Sequence, residues 1–251
     1  MKRQEAERAL TAAMYTGELI LECGGEVSRV EDSIKRICTA YGADRTDVFC
    51  ITASIITTLY YGKGESVTQT RRIVSAGNDF DKLSRVNDLS RTIVRTCPDP
   101  SYVLERLREI QDLPSYSFRF QLLIYALISA SFTVFFGGSA RDAMAAGLIG
   151  ILLRILERRL LKEHFNKLFT ALFCSLAGGF LAFLLVHFGL GENASMISIG
   201  NIMLFIPGVK FTNSIRDLFM GETITGLICL AESILQAAVV ALGFASASLI
   251  L

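Results

Sequence analysis

Between Phe118 and Leu249 the chain carries five apolar stretches separated by short glycine-rich or charged connectors. They run from Phe118 to Phe136, Ala143 to Leu156, Leu168 to Phe188, Ser195 to Ile206 and Thr223 to Leu249, and two of them are short. A hydrocarbon core about 30 Å thick asks for about 20 apolar residues per helix, so the pattern predicts five spans. A mean hydropathy of +0.45 exceeds that of an ordinary soluble domain, yet 20% of the residues are charged. Their placement resolves the conflict, because sixteen of the 25 Lys and Arg precede Pro114. The fold expected is an α-helical membrane protein with five transmembrane helices (115–251), preceded by a small cytoplasmic α+β domain (1–114).

The connectors set the orientation. Arg158, Arg159, Lys162 and Lys167 crowd the second, and Lys210 and Arg216 occupy the fourth. The first has only Arg141, and the third has no Lys or Arg. The positive-inside rule then puts the N-terminus in the cytoplasm and the C-terminus outside, in a multi-pass protein of the cell membrane. Met1-Lys2-Arg3 leads into polar residues, so no cleavable signal is expected.

In the front domain Leu10, Ala13, Gly17, Ile20, Gly24, Val27, Ile34, Ile37 and Tyr41 keep a helical period. Glu18, Glu22, Glu26, Arg29, Asp32 and Arg36 gather on the opposite face, Gly24-Gly25 leaves open a bend in the helix, and Glu26, Arg29 and Glu31 form a charged cluster beside those glycines. Two readings of these three compete: a solvated face laced with ion pairs worth about 0.2–0.5 kcal/mol each, or groups that hold a solute or a coupling proton. Val48 to Tyr60 reads as a strand, Gly62-Lys63-Gly64 as a tight turn and Ser66 to Val74 as a second strand. Asp79 to Thr96 returns to helical spacing with Phe80, Leu83, Val86, Leu89 and Ile93 inward. Ser101 is expected to cap a short helix before Pro114.

Several classes are excluded. There is no G-x-S-x-G, P-loop or dinucleotide fingerprint. Ser54, Thr57 and Thr58 have no histidine in their domain to activate them, so no catalytic residue and no enzyme are expected. The six cysteines form no C-x-x-C pair and no metal-ligand spacing with His164 or His187. Free thiols, no metal and no cofactor follow. A net charge of +1 without a basic, aromatic-laced stripe argues against nucleic acid.

In the fourth stretch the apolar run Met203 to Ile206 is stopped by Pro207-Gly208, and Asn213 and Asp217 follow four residues apart. Proline removes a donor, so a helix here should break and leave carbonyls without partners. Broken helices at membrane depth are where transporters bind cargo, and Asn213 and Asp217 would share one face if the helix resumes. The competing reading is a simple Pro-Gly turn between two spans. In the last stretch Thr225, Cys229, Glu232 and Gln236 form a polar stripe, either lining a water-filled path or joining helices. An ionisable residue such as Glu232 is costly in a span and therefore marks function.

With these residues the chain resembles the threonine/serine exporter family. It is most similar to the larger component of the split, two-protein versions, some of which are linked to succinate export. The matching pieces are Gly24 to Asp32, the Ile55 to Tyr60 strand with Gly62-Lys63-Gly64 and Thr70-Arg71-Arg72, and Ile206-Pro207-Gly208 followed by Asn213, Asp217, Gly221 and Gly226. The resemblance implies an exporter of a small polar solute (threonine, serine or a dicarboxylate such as succinate). It also implies a second small membrane protein with the remaining spans, and cargo contacts at Glu26, Arg29, Glu31, Pro207, Gly208, Asn213 and Asp217. Glu232 and Gln236 stand outside its motifs as intramembrane polar residues. The alternative is a membrane-anchored ligand-binding or sensory module that transports nothing.

Overall fold

The computed structural model describes every residue except Lys63, Ser75, Ala76, Ser115, His164 and Leu251, and the backbone alone of Ile250. Lys63 of the expected Gly62-Lys63-Gly64 turn and His164 of the basic connector therefore lie outside the described residues. The chain divides into two compact units. One comprises Met1–Pro114 with Arg216–Leu227, the other Ser115–Ile215 with Ile228–Leu251.

The first unit opens with α1 (Arg3–Glu22) and α2 (Val27–Ala40), so the apolar period that reads as one helix is divided at Gly24-Gly25, where the sequence left a bend open. The chain breaks at Gly24, which has φ +89°. A Cβ there would stand 2.6 Å from the Asn78 Oδ1 and 2.7 Å from the Gly77 carbonyl oxygen. That close approach is used: the amides of Gly77 and Asp79 donate to the Glu22 and Cys23 carbonyls at 2.8 and 3.1 Å, satisfying the end of α1. Periodicity survives such a break because α2 resumes with its apolar face inward.

Three antiparallel strands follow in the order β1 (Arg45–Ile51), β2 (Ser54–Tyr61) and β3 (Glu65–Arg72). The single strand expected from Val48 to Tyr60 is a hairpin whose turn falls at Thr52-Ala53, with Ile51 opposite Ser54. Ile55, Thr57, Leu59 and Tyr61 of β2 point into the core, while Ile56 and its β1 partner Phe49 face out. Gln69 donates to the Thr11 hydroxyl at 2.8 Å and Arg71 to Glu18 at 2.9 Å, fixing β3 along α1. Next come α3 (Phe80–Thr96) and α4 (Pro100–Gln111). Phe80, expected inside, is exposed at the first turn of α3. Asp99 rather than Ser101 caps α4, accepting from the Ser101 amide at 2.8 Å with Pro100 in the first turn. Leu10, Met14, Ile34, Leu59, Ile93 and Leu107 are fully buried at the centre.

The second unit is helical: α5 (Phe118–Phe135), α6 (Ala140–Lys162), α7 (Lys167–His187), α8 (Ala194–Ile202), then α9 (Gly208–Phe219) and α10 (Thr223–Ile250). The first two turns of α9 belong to it, and the end of α9 with the start of α10 belongs to the first unit. Among the described residues three helices are long and apolar enough to cross a membrane: α5, α7 and α10. This is short of the five expected, for two physical reasons. Helix α6 has the length but carries Arg141, Asp142, Arg154 and Glu157 within its first eighteen residues. Helix α8 has nine residues, which at 1.5 Å each cover less than half of a ~30 Å core.

Small residues let these helices touch. A Cβ on Gly147 of α6 would meet the Ala126 carbonyl of α5 at 3.3 Å, and one on Gly243 of α10 the Leu172 carbonyl of α7 at 2.9 Å. At one end Asp142, almost wholly buried, accepts from the amides of Glu192 and Asn193 at 2.7 and 2.9 Å and from the amide and hydroxyl of Ser139, both at 3.0 Å. One carboxylate thus ties the α5–α6 turn to the α7–α8 turn.

Candidate functional site

Helix α8 ends at Ile202, five residues before Pro207, and its last carbonyls are taken by a tightened turn. Leu204 donates to Asn201 and Phe205 to Ile202, at 3.2 and 3.0 Å. The Pro207 carbonyl accepts from Phe211 at 2.9 Å and so opens the α9 ladder. Between these two ladders lies the Phe205 carbonyl, which accepts from the Gln236 side-chain amide at 2.9 Å. In a low-dielectric setting an unmet carbonyl is expensive, so a glutamine one helix away is the partner the break calls for. Gln236 and the helix break before Pro207, singled out separately in the sequence, are joined by that bond. Gly208 has open space where a Cβ would stand; its backbone starts α9.

Four residues before Gln236, Glu232 accepts an ion pair from Lys210 of α9. Their side chains remain 54% and 41% exposed on otherwise apolar surroundings. Thr225, Cys229 and Ser233 are buried on the inner side of α10, so the polar stripe turns inward except at Glu232.

Further along α9, Asn213 is half-buried and Asp217 buried. Neither side chain makes a hydrogen bond among the described residues. Burial, reinforced by the neighbouring Glu26 and Glu222 carboxylates, raises the Asp217 pKa above the ordinary carboxylate value against the opposing pull of Arg216. A carboxyl held in this way accepts a proton more readily than a solvated one. Arg216 is ion-paired with Glu26. Glu26 is the N-cap residue of α2, and its side chain makes no capping bond.

The predicted trio of Glu26, Arg29 and Glu31 is not gathered. Glu31 accepts from the Cys50 amide at 3.1 Å and from Lys35 at 3.4 Å, joining α2 to β1. Arg29 faces α3 across a groove.

A second polar cluster went unread in the sequence. Arg154 of α6 donates to Gln121 of α5 at 3.1 and 2.5 Å and to Glu157 at 2.6 Å, and the Tyr125 hydroxyl donates to Glu157 at 2.9 Å. The guanidinium also lies 5.1 Å from the centre of the Tyr125 ring. The signal was present: Gln121 and Tyr125 stand four apart, Arg154 and Glu157 three apart, each pair on one helical face. No group of His, Cys, Asp or Glu side chains among the described residues is arranged to hold a metal ion, and the described cysteines are free thiols.

Three helices long and apolar enough to cross a membrane, an interrupted helix whose break is met by the Gln236 side chain, and an α+β unit define a multi-pass helical membrane protein. The chain belongs to the threonine/serine exporter family, whose model, described as "Putative threonine/serine exporter", matches residues 11–251. Among curated relatives it is 23% identical over 233 residues to the "Threonine/serine exporter" of Corynebacterium glutamicum, covering 90% of this chain and 48% of that one. It therefore spans about half the length of that relative. It is 23% identical over 225 residues to the "Probable succinate transporter subunit YjjP" of Escherichia coli (strain K12), covering 89% of this chain and 87% of that one. The protein of the same name from Klebsiella aerogenes is 24% identical over 231 residues, covering 90% and 86%. No solved structure gives a significant match.

Proposed function

We propose that this chain is the larger subunit of a two-chain exporter that moves a small polar metabolite out through the cytoplasmic membrane: threonine, serine or a dicarboxylate such as succinate. The observation that carries the reading is the interrupted helix α8–α9, whose open carbonyl is held by Gln236 and whose continuation bears a buried carboxyl with a raised pKa. Irregular backbone at membrane depth is tolerated where it lines a path. In this reading Pro207 and Gly208 form the break. Asp217 holds the cargo or exchanges a proton with it, and Asn213 stands one turn earlier on the same helix. Glu26 keeps Arg216 away from that carboxyl by pairing with it.

Helix α6 and the α8 segment are taken to cross as well, giving five spans with the N-terminus in and the C-terminus out. Pairing of Arg154 with Glu157, Gln121 and Tyr125 supports this by offsetting the cost of charges at depth. The Asp142 bonds support it too, since alternate connectors then share one side. A second chain is supported by the word "subunit" in the names of two relatives and by the half-exposed Lys210–Glu232 pair on apolar α10. Such a pair needs cover from lipid.

The test is efflux of labelled threonine, serine and succinate from cells producing this chain with and without a small membrane protein encoded beside it. Export of one label only when both are present is the expected result. Retention of all three, with both proteins verified in the membrane, overturns the proposal and favours a ligand-binding module without transport.

A further inference from the structure

Helices α2 and α3 of the first unit flank an open groove of about 380 Å³, within the size range of small-molecule sites. Its walls are two facing stripes: Arg29, Ser33 and Arg36 on α2, and Asn87, Arg91 and Arg95 on α3. The spacing of three or four residues along each helix puts every one of them on the facing side. Asp32 is the sole carboxylate of the lining, and it is paired with Arg36 at 2.8 Å. Arg91 is paired with Asp88. Arg29 and Arg95 have no ion-pair or hydrogen-bond partner among the described residues, and neither do the side chains of Ser33 and Asn87. The groove thus offers two free guanidiniums, a hydroxyl and an amide, with a net positive lining.

We propose that this groove is a binding site for a compact anion carrying at least two negative charges, as phosphate or paired carboxylate groups. Planar guanidinium forks match such groups with two parallel donors each, and two arginines from opposite walls can grip one anion from both sides. A monoanion such as chloride satisfies one wall only. The site is separate from Asp217 and from the helix break, so binding here is independent of whether the chain exports anything.

The experiment uses the purified full chain in uncharged detergent, titrated with pyrophosphate or citrate by calorimetry at constant ionic strength. Saturable one-to-one binding is expected, weakened more than tenfold in R29Q/R95Q. It should be recovered only in part in R29K/R95K, which keeps the two charges but loses the paired donors, and be unchanged in R85Q, which lies on the same helix away from the groove. The replaced side chains are exposed, so the fold should withstand these changes, and the thermal midpoint without ligand verifies it. Absence of saturable binding by either anion, or equal binding by R29Q/R95Q, overturns the proposal. Repeating the titration in cardiolipin-containing and phosphatidylcholine nanodiscs identifies the source. Loss of pyrophosphate binding only in cardiolipin, whose headgroup carries two phosphates, assigns the site to a lipid headgroup, and unchanged binding assigns it to a soluble metabolite.

Discussion

Arg216 donates to the carboxylate of Glu26, 190 positions earlier in the sequence. The pair joins the end of α9 to the start of α2 within one compact unit. Its Arg216 side is half exposed and its Glu26 side largely buried. Solvent screening limits such a contact, and a double-mutant cycle with E26Q and R216M should give a coupling of about 0.5–1 kcal/mol in thermal unfolding. If the pair also keeps the arginine off Asp217, both single variants should lower efflux well beyond what that coupling accounts for.

Asp217→Asn removes a carboxyl whose folded pKa is raised by burial and by two neighbouring carboxylates. A raised acid binds its proton more tightly when folded. Its contribution to stability is therefore full below the ordinary carboxylate pKa and is lost as pH rises through the folded value. The asparagine variant should be at least as stable as the parent at pH 7, show a flatter stability profile above the ordinary carboxylate range, and lack efflux. Efflux at the parental rate, with the protein present in the membrane, would remove Asp217 from the mechanism.

Gln236→Leu keeps the volume and deletes the donor that meets the Phe205 carbonyl. An orphaned buried carbonyl costs about 1–3 kcal/mol, so a clear fall in the unfolding midpoint in detergent is expected. Gln236→Asn, too short to reach, should fall similarly. A midpoint unchanged in both would mean that the break is satisfied elsewhere.

Arg154→Met strands Glu157 beside Tyr125, and breaking a pair with side chains 21% and 20% exposed should cost about 3 kcal/mol. Combining it with Glu157→Gln should recover much of that loss, because the uncompensated charge is gone. Unfolding of the two variants in the same detergent measures the difference.

Much of the helical layout was legible because apolar periodicity and hydropathy report burial directly: α3, α5, α7 and α10 begin and end close to where the sequence placed them. The break at Pro207 was legible because proline forbids the bond a continuing helix needs. The β1–β2 hairpin was not, since Thr52-Ala53 carries none of the glycine, proline or asparagine that punctuate turns, and β-branched residues run on through it. Charge roles were the least legible. Glu26, Arg29 and Glu31 lie within six residues, yet the rotation of α2 sends them to Arg216, to the α3 groove and to the Cys50 amide. Arg154 hid inside an apolar stretch because two of its partners, Gln121 and Tyr125, come from another helix, which one-dimensional spacing does not register.

The four bonds that converge on Asp142 have a mechanical consequence. The turn after α5 and the turn before α8 are riveted at a single oxygen pair, so neither can flap alone. Opening on that face must come from tilting of the helices beneath, with both turns carried along as one stiff lip. A binder raised against either turn would grip the other through it, and would report helix tilt rather than loop motion.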